Sequence, residues 1–77
     1  MKKDIIKTFS KNMKRIRVNA QLTQEELSFS SELHRNYISD AERGKRNISL
    51  KSVEKIAKAL NVEPIEFFRE IEEEKEN

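Results

Sequence analysis

The chain has 77 residues, 35% hydrophobic and 39% charged, which makes one small domain whose core is marginal and would gain from a second subunit. It has no run of about 18 apolar residues to span a membrane and no signal-peptide pattern at Met1–Asp4, so an intracellular, cytoplasmic protein is expected. Zero cysteines and one histidine exclude a disulfide framework, Cys-based zinc or redox sites and His-rich metal sites, so no metal and no cofactor is expected.

The formal net charge of +2 hides a division along the chain. Residues 1–62 carry fourteen Lys/Arg against seven Asp/Glu, and residues 63–77 carry two against seven. A basic body followed by an acidic end suits a polyanionic partner through counterion release, although charge runs also serve simply as solvated faces.

Five helices account for nearly all of the chain, and no period-2 alternation is long enough for a strand, so the fold class is all-α. The first helix is predicted over residues 4–19, with Ile5, Phe9, Met13 and Ile16 on one stripe and Lys11, Lys14, Arg15 and Arg17 complementing the C-terminal end of the dipole. The second begins at Thr23, which stands with Glu26 in the T-x-x-E spacing of a reciprocal capping box. Leu27 faces inward, Ser28 permits a close helix crossing, and residues 31–33 read as a turn. The third helix starts near His34, a weak cap, and carries Tyr37, Ile38 and Ala41 on one stripe. It stops at Gly44, the only glycine, where a left-handed residue often closes a helix. Two short helices joined by a tight turn, with a basic exit through Asn47, suit end-on presentation of a helix to DNA.

Ser49 is the predicted N-cap of the fourth helix, which buries Val53, Ile56, Ala57 and Leu60 and ends near Asn61. Pro64 suits the first turn of a fifth helix running through Phe67, Phe68 and Ile71. Ile65 and Phe68 fall on one face of that helix, and Phe67 and Ile71 on another. One narrow core contact cannot bury both faces, so all four residues are expected in a two-fold dimer interface, the alternative being a thick monomer core. The ordered helices are expected over residues 4–71, and the acidic run 72–77 is expected to fray because it sets negative charge at a helix C-terminus.

These residues resemble a known family. Thr23-Gln24-Glu25-Glu26-Leu27, then Ile38, then Glu42-Arg43-Gly44 look like the helix-turn-helix domain of lambda-repressor-like (Cro/cI, XRE-type) regulators, over about residues 8–68. The strings His34-Arg35-Asn36-Tyr37-Ile38-Ser39 and Glu42-Arg43-Gly44-Lys45-Arg46-Asn47-Ile48-Ser49 are similar to the controller proteins of restriction-modification systems. Many members have glycine in the turn where this chain has Glu32, so about 1 kcal/mol of backbone strain, or a turn of different build, is expected there.

The resemblance implies a compact five-helix domain with its third helix in the major groove. Arg35, Asn36 and Ser39 would then face the base edges. Arg35 would donate to O6 and N7 of guanine or clamp a phosphate, and Asn36 would pair with adenine or touch the backbone. A backbone contact is expected from Tyr37. The family pattern places Gln24 on a phosphate at the start of the second helix. Arg43, Arg46 and Asn47 would extend the grip, Lys45 reads as a solvated charge, and Ser52 is a further phosphate candidate. Arg17 and Glu42 would form a partly buried ion pair bracing the first helix to the third.

The function implied is that of a homodimeric regulator on a near-palindromic operator of double-stranded DNA, controlling its own gene and a restriction endonuclease gene. In that scheme one dimer activates by touching RNA polymerase, with Glu25 as a candidate contact, and further dimers repress. The alternatives are a plain phage-type repressor or antitoxin, and a helical adaptor whose basic face meets an acidic protein. No nucleophile–base pair, carboxylate pair or phosphate-cradling glycine loop is present, so no enzymatic activity is expected.

Overall fold

A computed structural model describes residues 4–70 of the chain. Four α-helices, α1 (Ile5–Asn19), α2 (Gln24–Ser31), α3 (Arg35–Glu42) and α4 (Leu50–Leu60), precede a short 3-10 helix, Pro64–Phe68. No strand occurs among the described residues. Position Ile71 and the acidic run 72–77 lie outside them.

Each α-helix starts on a side-chain cap. Asp4 accepts from Ile6 N at 3.0 Å to open α1, and Ser49 accepts from Ser52 N at 3.0 Å to open α4. The capping box of α2 is complete: Thr23 Oγ1 accepts from Glu26 N at 3.0 Å and Glu26 Oε1 from Thr23 N at 2.9 Å. His34 opens α3, with Nδ1 accepting from Asn36 N at 3.0 Å.

Left-handed residues close the helices. Gln21, Glu32, Gly44 and Asn61 have φ of 63°, 61°, 70° and 60°. The turn between α2 and α3 therefore keeps the left-handed geometry that glycine favours, with Glu32 absorbing a strain of about 1 kcal/mol. At the end of α3, Gly44 N donates to Ala41 O at 3.2 Å and Lys45 N to Asp40 O at 3.0 Å, the paired bonds of a Schellman closure.

Phe9 and Met13 of α1, Leu27 of α2, Ile38 and Ala41 of α3, Val53, Ile56, Ala57 and Leu60 of α4, and Phe67 form one buried core. Ser10 fastens α1 to α3, its hydroxyl lying 2.7 Å from Ala41 O and 2.8 Å from Ile6 O. No buried side-chain polar atom among the described residues lacks a hydrogen-bond partner.

The last element corrects the sequence expectation in two ways. It is a five-residue 3-10 helix that returns to extended backbone at Arg69 (φ −75°, ψ 137°), so no α-helix runs on toward Ile71. Asn12 fastens this end to α1: its amide donates to Phe67 O and Arg69 O, each at 2.8 Å. Phe67 is not available to a dimer. It is fully buried within its own chain, its ring centre 5.1 Å from that of Phe9. The tighter 3-10 repeat turns Phe67 into the core while Phe68, 5.6 Å from Phe9, stays on the rim.

Candidate nucleic-acid interface

The inward side of α3 is buried through Ile38, Ala41 and Glu42, which fixes what its outward side can show. Arg35 and Asn36, in the first turn, are exposed, and Ser39, one turn on, is half-buried. The helix thus offers a planar donor fork, an amide and a hydroxyl from the end that enters a groove first. Arg43 and Asn47 are exposed where the chain leaves α3, as is Lys45.

The orientation of that face is set by a buried charge cluster. Arg17 donates through Nε to Glu42 Oε2 at 2.6 Å and through Nη2 to Oε1 at 2.9 Å, while Nη1 donates to Leu22 O at 2.7 Å. Both side chains are almost wholly shielded from solvent. The hydrogen bond to Glu42 raises the Arg17 pKa above its ordinary value, outweighing the desolvation that lowers it. The pair spans the end of α1, the start of α2 and the end of α3, and so holds the reading helix against the rest of the domain.

Three site residues make contacts within the chain that the sequence did not announce. Gln24 lies at the first turn of α2, yet its amide donates to Glu42 Oε1 at 3.1 Å, which makes its side chain part of the brace and leaves chiefly its backbone N–H to meet a phosphate. Ser52 is buried, and its hydroxyl accepts from Ser49 Oγ at 3.0 Å, so it serves as a partner of the α4 cap. Tyr37 is half-buried, and its ring lies under the Arg46 guanidinium, 4.7 Å from ring centre to guanidinium carbon.

Arg46 itself is folded back along α3, with Nε 3.5 Å from Asp40 Oδ2. Neither Asp40 nor Asn12 stands out in the sequence. The only signal for the first is an acidic residue on an otherwise cationic exit, and nothing local announces the second. Of the dimer residues, Ile65 is 58% exposed and Phe68 37%, and Leu50 (85%) and Ile5 (63%) are exposed as well. A shallow apolar cleft lined by Ile5, Ile6, Phe9, Ile48, Leu50, Val53 and Phe68 brings Phe68 together with Leu50 and Ile5.

A capped helix, a left-handed turn and a second helix clamped from behind with a polar, cationic outer face define a helix-turn-helix domain. Residues 13–67 match the helix-turn-helix family model. The chain is 51% identical over 57 residues to control protein C.BamHI of Bacillus amyloliquefaciens, spanning 73% of this chain and 70% of that one. Its fold superposes on the restriction-modification controller protein C.AhdI from Aeromonas hydrophila with a TM-score of 0.80 at 41% identity, covering 82% of this chain and 96% of that one. It superposes equally on controller protein C.Esp1396I, solved as a tetramer in complex with its natural 35 base-pair operator, with a TM-score of 0.79 at 40% identity over 87% and 88% of the two chains. The chain belongs to the helix-turn-helix family and, within it, to the restriction-modification control proteins, which are DNA-binding regulators of transcription.

Proposed function

We propose that the chain is a homodimeric controller of a restriction-modification operon that binds a near-palindromic operator, activates its own promoter at low concentration and represses it at high concentration. The observation that carries this reading is the outward first turn of α3, where Arg35 and Asn36 stand exposed on a helix clamped from behind by Arg17 and Glu42. Arg35 reads a guanine edge and Asn36 an adenine, with Ser39 and Asn47 beside them. Arg43 and the backbone N–H groups at the start of α2 hold phosphates, and Arg46 reaches a base edge of the same half-site. That a solved controller relative assembles as a tetramer on its operator supports oligomeric binding here.

The dimer forms through Ile5, Leu50, Ile65 and Phe68, the exposed apolar residues gathered around the start of α4 and the 3-10 helix. Two copies related by a two-fold axis would set their α3 helices on half-sites about one turn of DNA apart. Activation runs through RNA polymerase, with Glu25 on the exposed side of α2 as the contact. The chain acts in the cytoplasm and performs no catalysis. Consistent with that, the α2 serines spend their hydroxyls on their own helix: Ser28 donates to Glu25 O at 2.7 Å and Ser30 to Glu26 O at 3.2 Å.

The test is transcription in vitro from the DNA upstream of the chain's own reading frame, with the protein titrated. Output should rise and then fall. A monotonic fall would leave a plain repressor, and no effect together with no binding to duplex DNA at low salt would leave a protein-interaction adaptor.

A further inference from the structure

Asp40 is the one acidic side chain on the outward part of α3, since Glu42 points into the core. A carboxylate on a surface that meets phosphates repels them unless a cation neutralises it. Here the cation is Arg46. Its Nε lies 3.5 Å from Asp40 Oδ2, both side chains are partly exposed, and the guanidinium lies over the Tyr37 ring with 4.7 Å between its carbon and the ring centre.

The backbone makes this arrangement possible. Gly44, at φ +70°, turns the chain back at the end of α3, and Lys45 N donates to the carbonyl of Asp40 itself at 3.0 Å. The residue after that bond is Arg46, which therefore returns alongside the helix that it follows. Asp40 and Tyr37 are three residues apart on one helix, so carboxylate and ring lie on neighbouring turns. The ion pair closes through Nε, on the stem side of the guanidinium. The Nη1–Nη2 end is the fork that a guanine edge or a phosphate takes.

Resting on the reading of α3 as the DNA-reading helix, we propose that Asp40 is a positioning and specificity-determining residue: with Tyr37 it holds Arg46 in one orientation before DNA arrives. A long cationic side chain without such a hold gains from any phosphate within reach and rewards all sequences alike. Held by its stem, Arg46 meets only a base edge set at one place, and duplexes that put none there gain little from it. Asp40 thus orients the arginine for the right sequence and withholds it from the phosphates of the wrong one.

The experiment compares wild type, Asp40→Asn, Asp40→Glu, Arg46→Ala and the Asp40→Asn/Arg46→Ala double variant. Each is titrated at one fixed salt concentration with a duplex that the wild type selects from a random library and with a random-sequence duplex. The readout is the ratio of the two affinities, with melting temperature as a control on folding. Asp40→Asn should lower the ratio about tenfold, equal to about 1.4 kcal/mol, mostly by tightening binding to random duplex. Asp40→Glu should retain most of the ratio, and Asp40→Asn should change it less than about twofold once Arg46 is absent. If Asp40→Asn tightens both duplexes by one factor, or acts equally with and without Arg46, the carboxylate is only a repulsive charge and the proposal is overturned. A wild type that selects no duplex would instead overturn the regulator reading, and this proposal with it.

Discussion

The Arg17 guanidinium and the Glu42 carboxylate meet at two points, Nε to Oε2 at 2.6 Å and Nη2 to Oε1 at 2.9 Å, and so tie the end of α1 to the end of α3. Removing one partner leaves the other charge buried. Glu42→Ala should therefore lower unfolding stability by about 3–5 kcal/mol, read by urea titration, because Arg17, Leu22 and Gln24 all lose their arrangement together. An unchanged melting temperature would remove the brace from the account. The raised Arg17 pKa gives a contribution fully present below the unfolded value and lost only as pH climbs through the higher folded value. Across the neutral range that contribution should not vary with pH.

Phe67 and Phe68 are neighbours with opposite duties. Phe67→Ala opens a cavity beside Phe9 and should cost about 3–5 kcal/mol of stability. Phe68→Asp and Ile65→Asp change rim positions and should leave most of the monomer's secondary structure while reducing self-association. Sedimentation velocity separates the two effects, and a dimer unaffected by either rim change would move the interface elsewhere.

Glu32 sits in left-handed backbone at φ 61° with an exposed side chain. Glu32→Gly should raise stability by up to about 1 kcal/mol, since strain is relieved and no buried contact is lost. Thermal melting checks the sign, and a loss of stability would mean that the Glu32 side chain makes contacts that matter.

Arg35 and Arg43 should fail in different ways. Arg35→Ala should cost about 1–3 kcal/mol on the preferred duplex and relax preference at one base pair. Arg43→Ala should weaken all duplexes alike and reduce the slope of log affinity against log salt by about one. Identical behaviour of the two variants would argue that α3 does not read bases through Arg35.

What was legible in the sequence was local. Thr23 with Glu26, Ser49 before α4, and Gly44 after α3 act over three or four residues, so their spacing alone locates helix ends. The stripes of α1 and α4 likewise announce their buried faces. What was not legible depends on distant partners. The 3-10 geometry after Pro64 is held by Asn12, which lies 55 residues from Phe67, and no periodicity in the last segment reports that bond. Gln24 is diverted to Glu42 across 18 residues, and Arg46 is drawn to Asp40 by a backbone reversal that only the folded turn supplies. Identity and local pattern named the surface residues, and packing decided which of their atoms remain on offer.

The most direct test of the central claim, that α3 presents a base-reading face, is selection of binding sites by the intact protein from random duplex DNA, followed by titration of the winning sequence against salt. The account predicts a near-palindromic sequence with half-sites about one helical turn apart, bound with an affinity that falls steeply as salt rises. Failure to enrich any sequence, with no duplex bound at low salt, would contradict it.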